Sequence, residues 1–205
     1  MESLLHSAAK NYEKLLHKNY QIILGRKGQQ SILNLTFSEE HFVHLAGLHK
    51  LKGVSFPTRS KYEIYKLILN KTISEESLTN AKGYSDIGGR LRILEILKES
   101  FSFPNLSVRF TKLYPIKGSK IHWEYLLEFS FDDKIGYLFL DRKRNSKEPD
   151  HYIPVSTFEK STRDYTINQV KYTVLEILEF DLQTKQTRKL YSRLKKKARH
   201  SNKEV

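Results

Sequence analysis

Histidines are the first residues of this sequence that suggest chemistry, because three of its eight lie close together, at His41, His44 and His49. An imidazole titrates near neutral pH, so such a cluster suits proton transfer, and it also suits metal binding. On a helix, His41 and His44 share one face with Leu48. The stretch from position 41 to 51 therefore predicts either a reaction site or an ordinary helix with histidines on its surface.

The residues around these histidines predict a short, capped helix. Ser38 is suited to accept a hydrogen bond from the first turn, and Glu39 and Glu40 place negative charge at the positive end of the helix dipole. Gly47 stands where the end of the helix needs a left-handed residue. The apolar side chains that would anchor the helix and aim the imidazoles are Phe42, Leu45 and Leu48.

Several catalytic classes lack their residues in this chain. Because there is no cysteine, there is no thiolate zinc site, disulfide or cysteine nucleophile. The H-x-x-H spacing of His41 and His44 is loose and has no obvious third ligand nearby in sequence, so we expect no metal site and no cofactor. The G-x-S-x-G motif of serine hydrolases is missing, and the acids do not form the carboxylate pair of a glycosidase.

Cleavage of RNA without a metal is compatible with the residue types that are present. In that reaction the 2′-hydroxyl of the substrate is the nucleophile, and the protein supplies an acid or base, cations and hydroxyl donors. Such groups are available in His44, in the basic run at 142–147, and in Ser156 and Thr157 of a later strand. The alternative is that His44 packs against the core, the basic run is a solvated loop and Ser156 is an ordinary strand residue. The spacing alone does not decide between them.

The charge of the chain indicates a polyanionic partner. Lys and Arg number 36 against 23 Asp and Glu, which gives a net charge of +13. Positions 185–205 hold nine basic residues and one acid, so they contribute +8 and leave +5 for the rest. Such a distribution is typical of nucleic-acid binding, and a tail that serves solubility is the alternative.

Other bulk features favour a cytoplasmic protein without a membrane partner. The lack of cysteine suits a reducing compartment. No apolar run is long enough to cross a bilayer, and the first residues lack the basic-then-apolar order of a secretory signal.

The hydrophobic pattern changes its period near Pro104. Before this residue, apolar side chains recur with helical spacing, interrupted by two short β-like runs around the turn at 25–28; after it, they alternate. We therefore predict an α+β fold, with N-terminal helices and a small hairpin packed on a roughly four-stranded antiparallel sheet, followed by a basic C-terminal helix or tail. The corresponding division is a domain at 1–182 and a tail at 183–205.

Three segments carry a resemblance to a known family. They are F-S-E-E-H-F-V-H-L-A-G-L-H-K-L at 37–51, the strand pair around 137–142, and Y-I-P-V-S-T-F at 152–158 followed by Tyr165, Asn168 and Gln169. Over roughly residues 1 to 180 the sequence resembles the phage-borne nuclease branch of the Barnase–EndoU–colicin–RelE (BECR) superfamily. The most specific elements are F-x-H-L-x-G-L at 42–48 and P-V-S-x-F at 154–158.

The resemblance implies helices followed by four antiparallel strands, and the metal-independent ribonuclease activity of a toxin or effector of a phage or mobile element. His44 corresponds to the motif histidine of the family and Ser156 to its strand serine, whereas His41 stands where a polar residue other than histidine is usual. We predict that His44 is the acid or base, that Ser156 orients the phosphate, and that either Arg142 or Lys143 clamps the transition state. Only one of the last two is expected to face the cleft, because neighbours on a strand point to opposite sides.

The predicted enzyme cleaves RNA to a 2′,3′-cyclic phosphate. The predicted nucleic-acid contacts are His49, Lys50, Thr157, Arg193, Lys195, Lys196, Lys197 and Arg199. The expected partners are RNA and an acidic antitoxin or immunity protein. The alternative, favoured by the lack of a glutamate beside His44 and by the basic tail, is a non-catalytic module of the same fold that binds nucleic acid or a protein partner.

Overall fold

Four α-helices dominate the first half of the chain. The computed structural model describes residues 2–111, 113–131, 133–161 and 163–193. Within them, the α-helices are Leu4–Glu13 (α1), Glu39–Leu45 (α2), Lys61–Leu69 (α3) and Gly88–Ser100 (α4). The hydroxyls of Ser3 and Ser60 cap α1 and α3 by accepting hydrogen bonds from backbone N–H groups of the first turn. None of the helices in the described ranges is long and apolar enough to cross a membrane.

Eight strands form one mixed sheet within the described residues. They are Lys18–Arg26 (β1), Gln29–Thr36 (β2), Pro104–Arg109 (β3), Tyr125–Phe131 (β4), Lys134–Arg142 (β5), His151–Glu159 (β6), Val170–Asp181 (β7) and Thr187–Ser192 (β8). Their order is β1-β2-β6-β5-β4-β3-β7-β8, and β7 also pairs with β1. The first seven therefore close into a barrel, in which β2 and β6 are parallel and the other neighbours are antiparallel.

The prediction of a roughly four-stranded antiparallel sheet is wrong, since seven strands close into a mixed barrel and an eighth is added at β7. The hairpin of β1 and β2 does form, but it belongs to the barrel, because β1 pairs with β7 along nearly its whole length. The buried alternation of Tyr20, Ile22 and Leu24 fits a separate hairpin and a barrel strand equally well. Such a pattern does not identify a partner strand far along the chain, so closure was not predictable from it.

The prediction of a basic C-terminal helix or tail is also wrong for the part of this segment that the structure describes. Strand β8 pairs with β7, and its Leu190 and Tyr191 pack against the main core. Lys189 of β8 forms an ion pair with Glu176 of β7, with 2.7 Å between Nζ and the carboxylate oxygen. Leu190 and Tyr191 can both reach the core because the pairing with β7 shifts register between Ile177 and Leu178, where a bulge interrupts the alternation of the strand. Residues 194–205 lie outside the described ranges, and the division into 1–182 and 183–205 stays a prediction.

The core that positions the helices is aromatic. Tyr12 of α1 is fully buried and contacts Phe37, Phe42 and Tyr65 edge-on, with ring centroids 5.4–5.9 Å apart. Its hydroxyl donates a hydrogen bond of 2.8 Å to the carbonyl of Ser38, the residue before α2. Edge-to-face aromatic packing is directional, so this cluster fixes α2 relative to α1 and α3.

Candidate active site

Helix α2 exposes His44 and buries its other side. Phe42 and Leu45 are fully buried, and Leu48 follows them into the core just beyond the helix. These three residues were predicted to aim the imidazole, and their burial leaves His44 on the solvent side. The direction of His44 is therefore set by the packing of the helix that carries it.

His41 has a structural contact at the start of the same helix. Its Nδ1 accepts a hydrogen bond of 3.2 Å from the backbone N–H of Ser38, in a reciprocal capping box. Burial, followed by the charges of Lys143 and His44, lowers the pKa of His41 to about 4. A neutral imidazole that caps a helix has its accepting nitrogen occupied, so His41 is not available for proton transfer.

Gly47 brings the second exposed histidine back to the first. Its φ of +79° is left-handed, and the following turn, Leu48–Lys50, places the His49 ring 4.3 Å from the His44 ring in a nearly parallel stack. A Cβ at position 47 would lie 2.8 Å from Cδ of Arg90. Glycine is thus required both by the backbone conformation and by the passage of the arginine side chain.

The two histidines open onto a cleft of about 500 Å³. The cleft is formed by α2 and its exit, α4, the strands β5 and β6, and the loop before β4. Its walls are His44, His49, Lys50, Arg90, Lys120, Ile121, His122, Asp141, Val155 and Ser156. The structure therefore brings together four of the predicted site residues, namely His44, His49, Lys50 and Ser156.

Arg90 of α4 is the most buried cation of this cleft, with 8% of its surface exposed. Its Nη1 donates to the carbonyl of Leu45 at 3.3 Å and to Oγ of Ser156 at 3.4 Å, and its guanidinium lies 5.4 Å from the ring centre of Phe158. It forms no ion pair with any described residue. Since Ser156 Oγ accepts from the guanidinium, its own O–H remains able to donate into the cleft. A buried cation without a carboxylate partner, next to a free hydroxyl donor, is suited to bind an anion.

Comparison with known families agrees with this chemistry. The sequence model of the family described as phage-Barnase-EndoU-ColicinE5/D-RelE like nuclease4 matches residues 4–196. The chain belongs to this nuclease family. No curated protein and no solved structure matches it. The predicted resemblance to a phage-borne BECR nuclease is confirmed, and the protein is a BECR-type nuclease, an enzyme that cleaves nucleic acid.

The surroundings of both stacked histidines of the nuclease favour the neutral imidazole. Burial, followed by the charges of Lys61 and Arg90, lowers the pKa of His44, while the Val155 backbone acts in the opposite direction. Partial burial and the neighbouring His44 and Lys50 lower the pKa of His49 to about 4. A neutral imidazole accepts a proton, and a bound phosphate would oppose these cations and raise the pKa of His44 again.

The two candidates for the transition-state clamp, Arg142 and Lys143, do not line the cleft; the residue of this region that does is Asp141. Arg142 donates to both carboxylate oxygens of Glu124, at 2.7 and 3.2 Å. The backbone N–H of Lys143 donates to the carbonyl of His151, and its charge acts on His41 and His151. Arg142 is thus engaged by Glu124, neither of the two cations lines the cleft, and the cleft receives its guanidinium from α4.

Of the other predicted nucleic-acid contacts, two lie within the described residues and four lie outside them. Thr157 is fully buried, and its hydroxyl donates 2.7 Å to the carbonyl of Tyr137, so it is not placed to touch a nucleic acid. Arg193 is exposed after β8, where its N–H bonds to the carbonyl of Leu175, and it does not line the cleft. The remaining contacts fall on residues outside the described ranges, namely Lys195, Lys196, Lys197 and Arg199.

Four polar residues of the cleft were missed by the sequence analysis, namely Arg90, Lys120, His122 and Asp141. For Arg90 a signal existed, because it lies four and seven positions before the buried Leu94 and Leu97 of α4 and so falls on the buried face of an amphipathic helix. Arginine is rarely buried, so a lone arginine on such a face indicates a specific role. Lys120 and His122 lie in a loop, where no periodicity indicates which side chains face inward.

No group of three or more His, Cys, Asp or Glu side chains that could hold a metal ion occurs in the described ranges.

Proposed function

We propose that this nuclease is a metal-independent endoribonuclease that cleaves RNA by attack of the 2′-hydroxyl, leaving a 2′,3′-cyclic phosphate. The observation that carries the proposal is the shared cleft of His44, Arg90 and Ser156, in which a neutral imidazole, an unpaired buried cation and a hydroxyl donor lie together. These are the groups that phosphoryl transfer within RNA requires of a protein.

His44 takes the proton of the 2′-hydroxyl in this proposal; as the 2′-oxygen bonds to phosphorus, the P–O5′ bond breaks and the leaving 5′-oxygen takes a proton from solvent water. The lowered pKa of His44 keeps the imidazole in the accepting form at neutral pH. Negative charge grows on the phosphoryl oxygens during the attack. This charge attracts the protonated His44, so it raises the pKa of the imidazole as the proton is transferred. The stacked His49 helps to hold the ring of His44 in place.

In this proposal Arg90 provides the transition-state clamp, in place of Arg142 or Lys143. Its guanidinium is already desolvated and held by the Leu45 carbonyl and the ring of Phe158, so it needs little reorganisation when the phosphate arrives. Ser156 adds a hydroxyl donor from β6. Lys50, exposed at the rim of the cleft, adds a second positive charge.

The biological setting that we propose is that of a toxin or effector of a phage or mobile element, acting in the cytoplasm and held in check by an acidic inhibitor protein. Support comes from the family, which is phage-associated, and from the net charge of +13, which favours binding of both RNA and an acidic partner. Expression of the nuclease alone should then arrest growth, and co-expression of the product of the neighbouring gene should relieve the arrest.

The decisive test is RNA cleavage by the purified protein in EDTA, with the 3′ product analysed for a cyclic phosphate. An RNA with 2′-O-methyl groups should resist cleavage because its nucleophile is blocked. His44→Asn should lower the rate about 100-fold or more, as removal of a general base does. His17→Asn, the same change at an exposed histidine outside the cleft, should leave it unaltered.

Three results would contradict the proposal: cleavage that needs a divalent metal, cleavage of the 2′-O-methyl RNA, or wild-type activity in His44→Asn. Salt-sensitive RNA binding without turnover would instead favour the non-catalytic alternative.

A further inference from the structure

A second hollow, of about 430 Å³, adjoins the candidate active cleft. The two share four lining residues, Lys120, Ile121, His122 and Asp141, so they lie side by side on the surface. A molecule bound at the cleft by its phosphate therefore has room to extend into the second hollow without leaving the protein surface.

The second hollow differs from the active cleft in having Phe and Trp side chains among its lining residues. Phe110 is half-buried and packs against Trp123, with ring centroids 5.2 Å apart, and Ile116 and Ile121 complete the apolar wall. Trp123 is 6% exposed and rests on Phe139 in an edge-on contact of 5.4 Å. Because the floor belongs to a packed core, Phe110 is held in a fixed orientation.

We propose that this base hollow, defined by Phe110, Ile116, Ile121 and Trp123, binds a nucleobase next to the cleaved phosphate of the RNA. The assignment rests on the proposed function. Single-stranded nucleic acids are bound by aromatic faces that stack on bases, combined with cations that follow the backbone. Both parts are present, since Lys120 and Arg144 add exposed positive charge at the hollow.

A nucleotide fits these observations better than a peptide does. A hollow that served only a protein partner would not need to adjoin the proposed phosphate-binding cleft, nor to carry cations at its edge. Every base has a π-face, so stacking on Phe110 predicts binding with little preference for base identity. The hollow thereby adds affinity for single-stranded RNA and determines which phosphate lies in the active cleft.

Trp123 is the only tryptophan of the chain and provides a direct probe of the hollow. We would titrate the protein with a 2′-O-methyl RNA tetranucleotide, which cannot be cleaved by the proposed route, and follow tryptophan emission. The wild type should show a saturable change in emission. Phe110→Leu, which keeps an apolar side chain but removes the stacking face, should weaken binding about tenfold, as expected for loss of one stacked base.

Phe103→Leu is the matched control, because Phe103 is an exposed phenylalanine just before the opposite end of β3. It should bind as the wild type does. Ile121→Ala tests the same hollow from its other wall and should also weaken binding; its fold, like that of Phe110→Leu, is checked by circular dichroism and thermal unfolding.

Two results would overturn the base hollow: no change in tryptophan emission at saturation, or wild-type affinity in both Phe110→Leu and Ile121→Ala. Failure of the proposed function looks different. If the wild type cleaved no RNA but bound the tetranucleotide in a Phe110-dependent way, the hollow would stand and the catalytic proposal would fall.

Discussion

Replacing Arg90 by methionine should separate the stability of the nuclease from its activity. The arginine is 8% exposed and forms no ion pair with any described residue, so the fold bears the cost of a desolvated charge. Methionine keeps an unbranched apolar stem in the same space and carries no charge. The matched control is Arg92→Met on the same helix, where the arginine is half-exposed and paired with Glu159 at 2.7 Å.

The expected change in stability is a balance of terms. Removing Arg90 loses two long hydrogen bonds of 3.3 and 3.4 Å and one contact with the ring of Phe158. Together these are about 2–3 kcal/mol. Relief of a buried, unpaired charge returns several kcal/mol. The net result should lie between no change and a gain of about 2 kcal/mol in the free energy of unfolding, or a rise of up to about 6 °C in Tm. Arg92→Met should change stability by about 0.5 kcal/mol or less.

The expected change in activity is opposite in sign. Loss of one preorganised donor to the developing phosphoryl charge typically lowers kcat by about 100- to 1000-fold. Inorganic phosphate at ten times its Kd should stabilise the wild type by about 1.4 kcal/mol, and this shift should disappear in Arg90→Met. Arg92→Met should keep both the activity and the phosphate shift.

Thermal unfolding with and without phosphate, alongside RNA cleavage rates, measures all three quantities. The reasoning would be refuted if Arg90→Met unfolded at a markedly lower temperature than the wild type, because the arginine would then be a structural residue. It would equally be refuted if the variant cleaved RNA at the wild-type rate.

Two further predictions concern the surroundings of the cleft. Gly47→Ala should lose about 1 kcal/mol of stability because of its left-handed backbone, and it should also lose activity because the new Cβ meets the cleft arginine at 2.8 Å. Gly53→Ala has a φ of +82° and nothing within 4 Å of the new Cβ, so it should lose stability but keep its activity. Paired measurements of Tm and cleavage rate would contradict this if the two variants behaved alike. Lys61→Gln should raise the pKa of His44 towards its ordinary value, since Lys61 is one of the charges that lower it. Because the base must be neutral, the acid limb of kcat/KM should move to higher pH, whereas Lys10→Gln should leave the profile in place; an unshifted profile in Lys61→Gln would argue against His44 as the base.

Local features of the site were predictable because they depend on neighbours in sequence. The cap at Ser38, the buried Phe42 and the left-handed Gly47 follow from residue type and helical spacing alone, and together they determine where His44 lies. The family resemblance then identified Ser156, which the structure places on the same cleft.

Long-range features were not predictable in the same way. Closure of the barrel depends on β1 finding β7, and the side-chain alternation of each strand is the same whichever partner it takes. The strand at Thr187–Ser192 was likewise not predictable, because its basic composition favours a solvated tail, whereas the open edge of β7 with which it pairs exists only in the fold.

Arg142 and Arg90 differ in the groups that already surround each guanidinium. Arg142 ends a central strand, as a catalytic cation would, but it is half-exposed and lies 2.7 Å from Glu124, so a phosphate there must compete with a carboxylate already in place. Arg90 is desolvated and contacts a carbonyl, a hydroxyl and an aromatic ring; the charge of Asp86 acts on it, but among the described residues it forms no salt bridge that an entering anion would have to displace. A fold tolerates such a charge where a helix holds it rigidly and a glycine makes room for it, as Gly47 does here. We therefore expect the phosphate-binding cation on the buried face of α4, because Arg142 already has a salt bridge to Glu124 and Arg90 has none with a described residue.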